Sequence, residues 1–419
     1  LPFGTEQNIL EEGYRSLAHS IKVVQVKEEH KRVTFGGPHC SNPYSASRLN
    51  ISAMSFGALS SAAIAALNKG AAKGGFAQNT GEGGLSEYHL TNGGDIIWQI
   101  GTGYFGCRNK DGSFNDDAFA ERANLDIVKM IEIKISQGAK PSHGGVLPGV
   151  KVTQEIADIR LVEAGEAVLS PPTHPEFDTP GGLLDFVARL RKLSGGKPVG
   201  FKLCLGKKPE FLAIIKAILE TNILPDFITI DGAEGGTGAA PVEFSNRLGT
   251  PCLESTYYIN QILIGAGLRQ HIGLISAGKT ATGFDMLEKI ILGADAVNAA
   301  RSMMMALGCV QAKTCNTNNC PTGVATQNPL RARAIDVAEK SERVRNFHRG
   351  TVHSFLELCG AIGFDNPSDL SPIDLFSRSE EGTKHFDQIY APLNAGQLLS
   401  DSIPNSYRDD WLKARSDSF

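Results

Sequence analysis

The architecture of this chain can be read from GLISAGKTATGFDMLEKIILGADAVNAAR, residues 273–301. The apolar run at 273–276 is too short for a helix, and a turn rich in glycine, lysine and threonine separates it from a helical pattern over 283–292. A second apolar run at 296–299 follows and ends at Ala300-Arg301. Strand, helix, strand in this rhythm is the unit of a parallel sheet covered by helices.

The same alternation recurs along the chain, with apolar runs at 51–56, 76–80, 96–100, 128–135, 198–203, 227–230, 273–276 and 296–299. Eight such runs predict an α/β fold closed as a (β/α)8 TIM barrel. Between the first two, Ser60 and Ser61 offer a cap to a helix of good formers that Gly74-Gly75 stops. Further helices are predicted at 182–193, 209–221 and 256–266. The barrel is placed at 50–330, preceded by an irregular N-terminal arm over 1–49. Residues 331–419 form a C-terminal helical extension whose polar tail is expected to be mobile. The fourth and fifth runs lie about sixty residues apart, more than one helix needs, and such insertions are often functional. No internal repeat or low-complexity tract is evident.

The chain has 419 residues, 41% hydrophobic and 21% charged, with a formal net charge of −4. That is enough for one large core with appendages or for two modest ones. Without a basic excess, nucleic acid is not an expected partner. No apolar run approaches the length of about 18 residues that a bilayer span requires. The opening Leu1-Pro2-Phe3-Gly4 lacks an initiator methionine, which reads as a trimmed start. Membrane association is therefore expected only through a segment outside this chain. The expected location is cytoplasmic, or on the cytoplasmic side of a membrane if such a segment anchors it. Closely paired cysteines are missing, as suits a reducing compartment.

Phosphate sites of such barrels commonly use the loops after the seventh and eighth strands. Gly278 and Lys279 stand in the first of these loops, where glycine allows close approach and lysine adds charge, and Ala300 and Arg301 stand in the second. Alternatively, both are ordinary strand-to-helix turns. Lys202 ends the fifth run, and a lysine buried there needs either an anionic or electron-rich partner, such as the N1–C2=O edge of a reduced flavin, or an internal ion pair with Glu82 or Asp231. Gln99, inside the third run, is placed to hydrogen-bond the pyrimidine part of such a ring. The dense glycines Gly235 and Gly236 after the sixth run, and Asn79 to Gly84 after the second, suit close approach of backbone to a planar or phosphorylated ligand.

Three cysteines, Cys309, Cys315 and Cys320, lie in GCVQAKTCNTNNCPTGVATQ with five and four intervening residues. Isolated cysteines are usually small buried hydrophobes. Here Asn, Thr and Pro filler marks a loop, and thiolates gathered in a loop suit iron–sulfur chemistry. Structural zinc would want four ligands with a closely spaced pair. Three thiolates suit a three-iron cluster, whereas four irons would need a fourth ligand such as Cys252 or Cys359.

Ala53-Met54-Ser55-Phe56-Gly57, Asn79 to Gly84, Gln137-Gly138-Ala139-Lys140-Pro141, Gly145 to Gly149, Ser170-Pro171-Pro172, Asp231 to Ala239 and the cysteine run together resemble the FMN-binding domain of glutamate synthase. Within that family the chain is most similar to the stand-alone FMN-binding proteins that lack the glutamine amidotransferase domain. The resemblance spans roughly 50–330 and implies FMN beside a [3Fe–4S] cluster held by Cys309, Cys315 and Cys320. Met54, Ser55, Gln99, Lys202, Gly235, Gly236, Gly278, Lys279, Ala300 and Arg301 would contact the flavin. Lys202, His143, Glu82 and Asp231 would serve catalysis. Where glutamate synthases generally present Lys-Gln and Gly-Arg-Phe-Gly, this chain has Trp98-Gln99 and Gly103-Tyr104-Phe105-Gly106. Two cations that could pair with a dicarboxylate are thus aromatic. Ser142-His143 replaces a common Gly-Glu, so that His143 either offers a proton or caps a loop.

The expected function is an FMN- and iron–sulfur-dependent oxidoreductase that reduces an imine formed from a 2-oxo acid and ammonia or an amine. Its electrons would come from ferredoxin or a reductase subunit, and an oligomer is compatible with this. A contrasting expectation is an electron-transfer module of a larger or membrane-linked redox complex, with a divergent substrate pocket. A flavin-free barrel gripping a sugar phosphate or nucleotide is a third.

Overall fold

The computed structural model describes residues 4–380, 382–389 and 391–419. Leu1, Pro2 and Phe3, on which a trimmed start was read, lie outside the described residues. In chain order the strands are β1 Arg15–Leu17, β2 Arg32–Phe35, β3 Tyr44–Ser47, β4 Leu49–Ile51, β5 Gln78–Asn79, β6 Ile96–Ile100, β7 Val128–Lys134, β8 Val146–Leu147, β9 Val168–Leu169, β10 Val199–Leu203, β11 Phe227–Asp231, β12 Gly273–Ala277, β13 Ala296–Ala299, β14 Leu375–Ser379 and β15 Gly382–His385. Eight of these, β4 to β7 and β10 to β13, pair in parallel and close on one another through β7 and β10. This is the (β/α)8 barrel that the alternation predicts.

A side-chain period of two explains both faces of the wall. Trp98, Ile131, Ile133, Phe201, Ile228 and Ile230 point outward into the layer shared with the helices. The alternate positions point inward, and they change character along the strand. Near the strand N-termini, Ala77, Ile97, Met130, Phe227, Ile275 and Ala296 fill the barrel floor. Two residues further on, the inward positions are Asn79, Gln99, Glu132 and Thr229.

The helix Ser61–Gly74 starts as predicted, since the Ser60 hydroxyl accepts from the Ala63 amide, and Gly75 ends it in the left-handed conformation. The first strand differs from expectation. It ends at Ile51, and Met54, Ser55 and Phe56 lie against Gly81 and Gly83 of the loop after β5. Nor is the arm irregular throughout. β2 and β3 form a hairpin whose Phe35, Tyr44 and Ala46 plug the barrel floor, with Phe35 edge-on to Phe227 at 6.0 Å. β1 pairs with β14 of the C-terminal extension. The tail is also docked, in place of the mobile end expected. The helix Asn405–Lys413 buries Tyr407, Lys216 donates to the Ala414 carbonyl at 2.9 Å, and its ammonium lies over the Trp411 ring. No described helix is long and apolar enough to cross a membrane.

Candidate functional site at the C-terminal mouth

The barrel interior turns polar at Glu132, which is 1% exposed. Its Oε1 accepts from Asn79 Nδ2 at 2.8 Å and Gln99 Nε2 at 2.7 Å, and its Oε2 accepts from Thr229 Oγ1 at 2.6 Å. A buried carboxylate is tolerable only with such partners. This arrangement commits the Gln99 amide nitrogen to the protein and was not anticipated. The available signal was a charged residue at an inward position of an apolar run.

One layer higher, Lys202 pairs with Asp231 at 3.2 Å, and the same Asp231 oxygen accepts from the Gly138 amide. Burial lowers the Lys202 pKa, but Asp231 and Glu132 more than offset this and hold the ammonium charged. Glu82 pairs with Lys134 at 2.9 Å, and Lys134 also donates to Gln137. Burial pushes Glu82 up, yet Lys134, Arg160 and Lys140 together hold it below the ordinary carboxylate value. Three cations therefore surround one carboxylate. Such a surplus suits an anionic ligand.

Two of these cations come from the long insertion. Lys140 donates to the Gly144 carbonyl at 2.7 Å. Arg160 ends the helix Gln154–Arg160, donates to the Phe56 carbonyl at 3.0 Å and to Ser55 Oγ at 3.4 Å, and leaves its buried Nε without a partner. Burial brings Arg160 down to about 10, so it stays charged at neutral pH. Met54 and Ser55 sit where the loop after β4 meets the loop after β5. Gly81, at φ +65°, lies so close that a Cβ there would stand 2.8 Å from the Ser55 nitrogen.

His143 contacts the Gly144 carbonyl at 2.9 Å and the Phe244 ring edge-on at 5.4 Å. His174, missed in the sequence, is buried behind Lys134, with Nε2 2.8 Å from the Lys134 carbonyl and Nδ1 3.1 Å from the Tyr104 hydroxyl. Burial lowers it to about 4, so it is neutral at pH 7. Trp98 stacks on Phe119 at 5.1 Å, and Tyr104 packs among Phe114, Phe186 and His174, so both aromatic side chains belong to the outer layer.

Paired strands β12 and β13 bring the two expected phosphate turns side by side. Ser302 Oγ donates to the Thr280 carbonyl at 2.7 Å and ties one turn to the other. Gly278 has room only for hydrogen, since a Cβ would stand 2.9 Å from that of Cys252, and Lys279 turns the chain at φ +36°. The glycine loop after β11 spans from here to the cysteines. A Cβ on Gly236 would stand 2.7 Å from Arg301 Nη2, one on Gly235 would stand 3.2 Å from the Ala139 nitrogen, and one on Gly238 would stand 3.1 Å from the Asn316 nitrogen.

Cys309, Cys315 and Cys320 line one small cavity with Met304, Val310, Val324 and Ala325. Gln311, Lys313 and Asn318 take left-handed backbone conformations, at φ +56°, +58° and +66°, to turn the loop. Burial would raise the Cys320 thiol, but the Ala325, Thr322 and Val324 amides and the Thr322 hydroxyl bring it below its ordinary value. Cys315 is pushed up by burial and by Cys309 and Cys320. Beneath the loop, Lys151 donates to the carbonyls of Ala58 at 2.6 Å, Cys315 at 3.0 Å and Ala325 at 3.2 Å. Burial lowers this lysine to about 8, an effect that Cys315 and Cys320 oppose. Cys252 and Cys359 do not line the cavity. Cys252 meets Ser276 Oγ at 3.1 Å, and Cys359 donates to the Phe364 carbonyl. Among the described residues, no three His, Cys, Asp or Glu side chains are grouped to hold a metal ion.

Glu82→Gln tests the charge cluster. The variant is expected to be less stable than the parent by about 1.5–3 kcal/mol at pH 7. Because folding lowers the Glu82 pKa, its contribution is full above 4.5 and is lost as pH falls through the folded value. Denaturant titrations of the two proteins should therefore converge below pH 4.5.

Comparison with known proteins places the chain among relatives. The family model described as the conserved region in glutamate synthase matches residues 14–365. The glutamate synthase large subunit-like protein YerD of Bacillus subtilis is 41% identical over 362 residues, covering 86% of this chain and 67% of the relative. The archaeal glutamate synthase [NADPH] of Methanocaldococcus jannaschii is 35% identical over 321 residues, covering 76% of this chain and 60% of the relative. An archaeal-type glutamate synthase [NADPH] of Thermotoga maritima is 32% identical over 316 residues, covering 75% and 59%. The matched segment is thus well short of these relatives' full length. Among solved structures, a flavocytochrome b2 double variant with sulfite bound shares the fold at TM-score 0.51 and 14% identity, covering 86% of this chain and 75% of that one.

Proposed function

Because the chain belongs to the glutamate synthase family of oxidoreductases, we propose that its mouth binds FMN, that its thiol loop binds a [3Fe–4S] cluster, and that it reduces an imine formed from a 2-oxo acid and ammonia or an amine. The observation that carries this is convergence at one rim, where the glycine loop touches Arg301 of the phosphate turns at Gly236 and Asn316 of the thiol loop at Gly238. Gly278, Lys279, Ala300 and Arg301 would hold the phosphate, and Met54, Ser55, Gln99, Lys202, Gly235 and Gly236 would face the ring.

The thiol loop fits the cluster on two counts. Cys320 has amide donors that stabilise a thiolate, and the repulsion that would build among three thiolates at one cavity is what cationic iron would relieve. The irons of a cluster also spread their ligands wider than a single ion does. When bound, FMN supplies a hydride and the cluster supplies electrons one at a time.

The protein supplies placement and charge. Lys202, kept charged by Asp231, is suited to stabilise negative charge developing beside it. Lys134, Lys140 and Arg160 are suited to bind a substrate carboxylate, and Glu82, ionised at neutral pH, holds Lys134 in place. His143 lies at the rim, where it can meet a substrate proton. A ferredoxin or reductase subunit is the proposed electron donor.

Single-turnover reoxidation tests this reading. Protein reduced anaerobically should be reoxidised when 2-oxoglutarate and ammonium are added together. Reoxidation only by protein or quinone partners, across a panel of 2-oxo acids and amines, would instead point to an electron relay.

A further inference from the structure

Lys151 is 1% exposed, and its ammonium meets three carbonyls and no carboxylate among the described residues. A buried charge left without a counter-charge is strongly destabilising. The groups of opposite sign that act on it are the Cys315 and Cys320 side chains, which would carry negative charge as thiolate ligands, while Arg160 adds further positive charge nearby. Its three acceptors come from two segments far apart in the chain. Ala58 lies on the loop that follows Met54 and Ser55, and Cys315 and Ala325 lie on either side of Cys320. Gln327 strengthens the same junction, donating to the carbonyls of Gly57 and Leu59 at 2.9 and 2.8 Å.

We propose that Lys151 is a positioning residue whose buried ammonium, set beneath the thiol loop, favours the reduced form of the cluster bound there. This deepens the iron–sulfur reading above and rests on it. Reduction adds one electron, taken in the test from dithionite through mediators, to a centre already negative from its three thiolates. A cation bonded to the backbone of a ligand residue lowers the free energy of that added charge. A purely structural lysine would hold the loop without moving the potential.

The test is a mediated redox titration of the cluster EPR signal in the parent, Lys151→Gln and Lys151→Arg proteins, with iron and FMN measured in each. Lys151→Gln should retain iron yet show roughly a tenfold lower ratio of reduced to oxidised cluster at a fixed potential, about 59 mV for one electron. Lys151→Arg, which keeps the charge, should titrate like the parent. Loss of iron in Lys151→Gln with retention in Lys151→Arg would overturn the redox role and assign the charge to holding the cluster instead. An unchanged midpoint in iron-loaded Lys151→Gln, a shifted midpoint in Lys151→Arg, or loss of iron from both variants would overturn the proposal. Absence of iron from the parent would instead overturn the cluster reading itself.

Discussion

Serine in place of Cys320 is expected to give a folded, yellow protein from which iron and its EPR signal are lost, while FMN stays near the parent content. The substitution removes the thiolate best supported by the protein. Three amide groups and the Thr322 hydroxyl converge on this sulfur, and the neighbouring loop is held by Lys151 and Gln327 independently of it. A serine oxygen is a hard ligand and a poor substitute for thiolate on iron. The flavin should survive because its proposed phosphate turns follow β12 and β13 and are tied together by Ser302, not by the cysteine loop. Cys315→Ser should behave likewise. Loss of both cofactors would show that the thiol loop shapes the flavin site as well.

Lys202→Met is the second large effect, and it should appear in two measurements. Removing the ammonium leaves Asp231 without its ion-pair partner and Glu132 without a nearby cation, so unfolding free energy should fall by about 3–5 kcal/mol. A second change, Asp231→Asn, should recover much of that stability because it removes the stranded charge. Activity should not follow. Loss of a preorganised charge at a reacting centre typically lowers turnover by roughly 10²–10³-fold, and the double variant would still lack it. Recovery of turnover along with stability would assign Lys202 to the structure alone.

Much of the barrel was legible because its strands are short apolar runs separated by capped helices. The register within them was readable too. With Gln99 inward, a period of two sends Trp98 outward, which is where it stacks on Phe119. Glu132 and Lys134 obey the same rule in β7, and their inward placement could have been inferred from the charges interrupting that run. The first barrel strand was misplaced because Met54 and Phe56 are apolar for a different reason, namely packing against the loop after β5.

Long-range placement could not be read. Nothing local says that Arg160 reaches Ser55 and Phe56, or that Lys151 sits beneath Cys315, since both come from an insertion whose path is set by tertiary packing. The pairing of Lys202 with Asp231 and of Glu82 with Lys134 likewise needed the closed barrel to sort partners among several carboxylates. The plugging hairpin of the arm and the docked tail were missed for the same reason. Their short strands and single helix carry weak local signals, and their stability comes from the barrel they cover.

The central claim is that one rim holds both a flavin and an iron–sulfur cluster. It is tested most directly by purifying the chain anaerobically and quantifying both in the same sample, with absorption and EPR spectra. The account predicts one FMN and roughly three irons per chain, with a cluster signal that reduction alters. A folded protein that takes up neither iron nor flavin under reconstitution would contradict it.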